Sequence, residues 1–129
     1  MQSSIKAIIL DSNKIFREAL RCVLSQFDAT EITETCSMMD YFDQLKIVQP
    51  DVAFITLSYQ DETAMKILSL THMTCSSTKV FFIVLNMYPE LRKELMDAGA
   101  AGILDSDMIC DQIKPIIEHL AATNPDSRV

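Results

Sequence analysis

The run Val52-Ala53-Phe54-Ile55-Thr56-Leu57 constrains this chain more than any other stretch. Pro50 and Asp51 introduce it and Ser58 closes it. A short apolar run between turn-forming residues suits a strand buried on both faces, as in the middle of a parallel sheet. In open α/β sheets, ligands and chemistry collect just past the carboxyl ends of such strands. This one ends in Thr56-Leu57-Ser58, two hydroxyls with no carboxylate among them.

The segments around it alternate. Ile5 to Leu10 reads as a first strand, followed by the helix-capping residues Asp11-Ser12-Asn13. Ile15, Phe16, Ala19, Leu20, Val23, Leu24 and Phe27 then recur at helical spacing, opposite a basic stripe of Lys14, Arg17 and Arg21. That stripe reads as solvated surface before it reads as a docking face. Glu31 to Cys36 mixes charged and β-branched residues, which suits an edge strand. A second helix spans Met38 to Val48, with Met38, Tyr41, Phe42, Leu45 and Val48 inward and Pro50 blocking its continuation.

Beyond the central strand, Asp61-Glu62-Thr63 can open a third helix carrying Ala64, Ile67, Leu68 and Thr71 on one face. His72 to Thr78 reads as a loop, and Lys79 to Leu85 as the most hydrophobic strand, ending at Asn86. Pro89 suits the first turn of a fourth helix, with Leu91, Leu95 and Ala98 inward and Gly99 as its stop. Ala101 to Leu104 is a short fifth strand. Asp105-Ser106-Asp107 caps a last helix whose Pro115 predicts a kink or a late restart. The sequence therefore predicts one domain over 1–121 and a polar tail over 122–129. Five β-α pairs imply a flavodoxin-like doubly wound parallel sheet, strand order 2-1-3-4-5, with right-handed crossovers.

Charge and cysteine usage narrow the function. With 11 basic and 18 acidic residues the net charge is −7, which repels phosphate backbones and argues against direct nucleic-acid binding. Cys22, Cys36, Cys75 and Cys110 form no C-x-x-C pair, so they read as buried or incidental thiols in a reducing compartment, not as a metal site. No segment approaches the ~20 apolar residues of a membrane span. The first residues lack the apolar core of a secretion signal, so a cytoplasmic location is expected. With Gly99 and Gly102 as the only glycines, a phosphate-cradling glycine loop is excluded.

Several separated motifs carry a resemblance. Ile8-Ile9-Leu10-Asp11-Ser12-Asn13 with Phe16-Arg17-Glu18-Ala19-Leu20, then Gln49-Pro50-Asp51-Val52, then Ala98-Gly99-Ala100-Ala101-Gly102-Ile103-Leu104, resemble response-regulator receiver domains of the NarL/FixJ type. The likeness runs from about Ile5 to Leu120. In that family an acidic pair after the first strand holds Mg²⁺, and an Asp ending the third strand accepts a phosphoryl group from a histidine kinase. A Thr or Ser after the fourth strand and a Lys after the fifth grip the phosphate. Carried over by position, the resemblance gives Asp11 as the first acid, Ser12 in place of the second, and Thr56 in place of the phosphoacceptor. Asn86 stands for the Thr or Ser, and Ser106 (or Asp105 in another alignment) for the Lys.

Asp11 alone is a poor Mg²⁺ site, because Mg²⁺ is commonly held by one or two carboxylates together with phosphate oxygens. It reads as a helix cap before a vestigial cation ligand. A threonine hydroxyl is a weak nucleophile without an adjacent base, and neither His72 nor His119 falls at a pocket position. The expectation is a degenerate receiver: not an enzyme, with no metal or cofactor, serving as a phosphorylation-independent interaction module in two-component or transcriptional regulation. Its partner would be a regulator, a kinase or a second copy. By resemblance, output runs through the fourth helix, fifth strand and fifth helix, which nominates Tyr88, Arg92, Met96, Ile103 and Gln112 as exposed contact residues. Two alternatives remain: an unconventional phosphoacceptor using Thr56 or Ser58, and a small-molecule sensor using the space left by the missing acids.

Overall fold

In a computed structural model, which describes residues 5–27, 30–57, 63–84 and 89–123, strands and helices alternate. The order is β1 (Ile5–Leu10), α1 (Lys14–Leu24), β2 (Thr30–Thr35), α2 (Met38–Val48), β3 (Val52–Thr56), α3 (Ala64–Thr74), β4 (Lys79–Val84), α4 (Pro89–Asp97), β5 (Gly102–Asp105) and α5 (Ile109–Thr123). A 3-10 turn, Ser106–Met108, leads into α5. The five strands form one parallel sheet in the order β2-β1-β3-β4-β5, as the alternation implies.

Period-two alternation splits the core between the two sheet faces. Ile8, Leu10, Ala53, Ile55, Val80, Phe82 and Ile103 point to one side, where Tyr41 and Leu45 of α2, Ile67 and Leu68 of α3 and Leu95 of α4 cover them. Ala7, Ile9, Val52, Phe54, Ile83 and Leu104 point to the other, under Leu20 and Leu24 of α1 and Ile113 and Ile117 of α5. Residues 52–55 of β3 are fully buried, consistent with their place at the middle of the sheet. On the first side, Thr71 Oγ1 donates to Ile67 O and therefore accepts from the Tyr41 hydroxyl at 2.7 Å, tying α3 to α2.

Helix ends follow local chemistry. Asn13 caps α1 by accepting from Phe16 N, and Ser37 caps α2 by accepting from Asp40 N. Gln49 ends α2 in the left-handed region at φ 50°, and Pro50 follows it. Gly99 ends α4 at φ 110°. Its N–H donates to Met96 O and that of Ala100 to Leu95 O, the paired bonds of a Schellman stop.

Several expectations are corrected. In α1 the buried stripe is Phe16, Leu20, Val23 and Leu24, whereas Ile15 is 81% exposed and Ala19 is also exposed. Residues 15 and 19 lie about 100° around the helix from 16 and 20 and miss the sheet. In the basic stripe Lys14 and Arg21 are exposed as expected, but Arg17 is half-buried, and Arg17 Nε and Arg21 Nη1 reach Glu34 of β2 at 3.5 and 2.9 Å. The segment from His72 is not all loop, because α3 runs to Thr74. Ala98 is exposed, beyond the last turn of α4. Pro115 lies within α5 without ending it, and that helix continues two residues past the expected boundary at 121. Residues 124–129 of the expected tail lie outside the described residues. Cys22, Cys36 and Cys110 are exposed free thiols and Cys75 is half-buried, so burial is not their common role.

Candidate functional site

The parallel register sets up the site. Leu10 of β1 pairs with Ile55 of β3, so the next residues on each strand, Asp11 and Thr56, emerge side by side at the carboxyl edge of the sheet. They line one cleft of about 260 Å³ together with Leu10, Ser12, Cys36, Ser37, Met38, Ile55, Thr63 and Ile67. The residues nominated after the first and third strands are thus brought together. Cys36, Ser37, Met38 and Thr63 were not foreseen. The rule that sites gather at strand carboxyl ends would have pointed to Cys36 and Ser37, which follow β2.

Asp11 is 4% exposed. Its Oδ1 accepts from Asn13 N at 2.8 Å, and its carbonyl accepts from Arg17 Nη1 at 2.8 Å. Its Oδ2 is buried with no hydrogen-bond partner, and so is Thr56 Oγ1. The two oxygens do not bond each other, so Asp11 does not act as a base poised on the Thr56 hydroxyl. Buried polar atoms left unpaired are uncommon and each costs about 1–3 kcal/mol, so two in one cleft mark it as more than packing space.

The remaining nominees lie elsewhere. Ser106 opens the 3-10 turn after β5, half-buried and outside this cleft lining; Asp105 is exposed. Asn86, Ser58 and Tyr88 lie outside the described residues. On the expected output face, Arg92 and Met96 are exposed, Met96 at 43%. Ile103 is not: at 8% exposure it faces inward beside Phe82, its register partner, under α4. Gln112 is half-buried and its Oε1 accepts from Asp105 N at 2.8 Å, joining α5 to β5. A larger hollow of about 480 Å³ lies near the amino ends of β4 and β5, walled by Phe81, Pro115, Ile116 and Leu120 with Lys79 at its edge. It is mainly apolar and holds neither of the unpaired cleft oxygens, so the smaller cleft is the candidate site.

The fold defines a class. The five-stranded sheet with this strand order and a cleft at the carboxyl ends of β1 and β3 is the fold of response-regulator receiver domains. The NarL signal receiver domain from Mycobacterium tuberculosis superposes with a TM-score of 0.79 at 19% identity, over 95% of this chain and 99% of that one. The receiver domain of RcsB from Salmonella enterica serovar Typhimurium, with the phosphomimetic BeF₃⁻, gives 0.77 at 14%, covering 91% and 90%. A LuxR-family DNA-binding response regulator from Staphylococcus aureus gives 0.77 at 14%, covering 90% and 98%. No family model matches the chain, and no curated protein matches it by sequence. These likenesses establish the receiver fold.

The Mg²⁺ and phosphoaspartate chemistry that the receiver resemblance implies can be tested against the donor set. Among the described residues no group of three or more His, Cys, Asp or Glu gathers, and Asp11 is the one carboxylate in the cleft lining. Mg²⁺ demands near-octahedral oxygen coordination and usually recruits phosphate oxygens as well. One carboxylate oxygen beside hydroxyls does not fit it. Among the described residues, no helix is long and apolar enough to cross a membrane.

Proposed function

We propose that this chain is a degenerate receiver, a signalling domain that acts by binding another protein and does not relay a phosphoryl group. The observation that carries this reading is Thr56 at the end of β3, in the place where the receiver resemblance puts the phosphoacceptor carboxylate, with a buried and unactivated hydroxyl. An acyl phosphate needs a carboxylate nucleophile, and a threonine hydroxyl needs a base within hydrogen-bond reach. β3 ends without a carboxylate, and no base hydrogen-bonds the Thr56 hydroxyl. The same geometry weighs against Thr56 as an unconventional acceptor. The domain is therefore read as non-enzymatic and cytoplasmic, in two-component or transcriptional regulation, with a regulator, a kinase or a second copy as partner. The acidic surface weighs against direct contact with nucleic acid.

For the partner face, exposure retains Arg92 and Met96 on α4 and removes Ile103. The primary experiment incubates the full chain with acetyl phosphate and Mg²⁺ and reads intact mass. The expected result is the unmodified chain; a phosphorylated species overturns the reading. Affinity capture from the source cell with the wild type, Arg92→Glu and Met96→Glu then tests the face. Recovery of a partner that both variants retain excludes α4 as its contact.

A further inference from the structure

We infer that the Asp11–Thr56 cleft is a binding site for a small unbranched primary alkylammonium compound, not for a divalent cation. The inference concerns a free ligand and stands apart from the protein-partner reading above. Asp11 lines the cleft, is buried and has one unpaired carboxylate oxygen; Thr56, also in the lining, supplies a second unpaired oxygen on the adjacent strand. Because the strands are parallel neighbours about 4.8 Å apart, a single nitrogen between them can lie within hydrogen-bond reach of both. An ammonium group brings three donors and one positive charge, which matches one carboxylate and neutral hydroxyls. A divalent ion there would keep an uncompensated charge.

The surroundings favour a cation of this kind. The described residues that leave the carboxyl ends of the strands, 11–13, 36–37, 57, 63 and 105–108, contain Asp11, Asp105 and Asp107 and no Lys, Arg or His. The nearest basic residues in sequence are Lys14 and Arg17, and Arg17 is held by the Asp11 carbonyl and Glu34. The positive ends of α1 and α2 do not answer the free Oδ2. Asn13 and Ser37 cap their first turns, and the Asn13 N–H goes to Oδ1. Leu10, Met38, Ile55 and Ile67 supply apolar wall for the alkyl chain, and about 260 Å³ accommodates a chain of a few carbons.

The test titrates the full chain with n-butylammonium chloride, with n-butanol and MgCl₂ in parallel, following the Asp11 and Thr56 backbone amides by NMR. Saturable shifts at both amides are expected with butylammonium. Binding should be at least about tenfold weaker for the neutral alcohol, which lacks the charge-assisted bond. Asp11→Asn keeps an acceptor for the Asn13 N–H and should weaken butylammonium binding by about tenfold or more, since the pairing charge is gone. Thr56→Val, a second variant in case the first fails to fold, should weaken it roughly fivefold, as loss of one neutral hydrogen bond does. Equal binding of butanol, Mg²⁺ that competes at the same amides, or variants that bind as the wild type does would each overturn the inference.

Discussion

Replacing Thr56 by Val should make this protein more stable. The Thr56 Oγ1 is buried without a hydrogen-bond partner, at the end of the central strand. Burying a hydroxyl without compensation costs about 1–3 kcal/mol in protein mutational series, and Val removes that cost while keeping the β-branched shape. Val also suits a strand at least as well as Thr. Thr56 as a residue is only half-buried, so the low end of that range applies. A net gain of about 1 kcal/mol follows, read as a rise in melting temperature of roughly 4 °C for a domain of this size. The assay is reversible urea unfolding together with thermal melts, comparing Val, Thr and Ser at position 56. The expected order of stability is Val, then Thr, then Ser, with Ser lowest because it keeps the unpaired hydroxyl and loses the methyl. A Thr56→Val variant less stable than wild type by about 0.5 kcal/mol or more, the net worth of a typical hydrogen bond, would show that the hydroxyl is satisfied in solution. The cleft would then hold no unpaired oxygen on β3, and the ligand inference would lose one of its two anchors.

Other outcomes follow from the packing around the sheet. Gly102→Ala would place a Cβ 2.9 Å from Phe81 Cε1, displacing a ring stacked on Phe54; it should cost about 1–3 kcal/mol, and Phe81→Leu in the same chain should recover part of it in urea titrations. Burial pushes the Tyr41 phenol up from 10.0 to about 12 against the opposing hydrogen bond with Thr71, with Cys75 adding slightly. Because the folded value is the raised one, this stabilisation is complete below pH 10 and is lost as pH climbs through 12, a loss of order 2–3 kcal/mol. Tyr41→Phe should flatten that alkaline decline while lowering stability near neutrality by about 1 kcal/mol. Glu34→Gln breaks the bonds to Arg17 and Arg21 at the surface; a change under about 1 kcal/mol is expected, vanishing in high salt, as melts at two ionic strengths would show.

Much of the fold was legible because it rests on local chemistry. The apolar run of β1, the Asn13 cap, the edge character of β2 and the Gly99 stop are each specified within a few residues. What could not be read depends on contacts across the chain. The end of α3 is polar, and its helical state is consistent with the buried Thr71–Tyr41 bond to α2 that precedes it. Ile15 looked like core by spacing, yet only the sheet decides which side of a broad apolar face is covered. Glu34 gave no sign that it would gather two arginines from α1. Ile103 was placed outside by family likeness, and its register against Phe82 turns it in. In the cleft, Asp11 and Thr56 were visible as strand ends, but Met38 and Thr63 join them only through the docking of α2 and α3.

The side-by-side register of β1 and β3 also bears on how such a domain could change over generations. A Thr56→Asp substitution would set a second negative charge one strand away from Asp11. At about 5 Å and an effective dielectric near 20, their repulsion is about 3 kcal/mol, a large part of a small domain's stability. Gaining an acid on β3 is thus predicted to be harmful until a partner cation can be held between the strands, and Thr56→Asp should melt well below Thr56→Asn in a direct comparison. Mutational drift through this position would favour neutral residues over acidic ones.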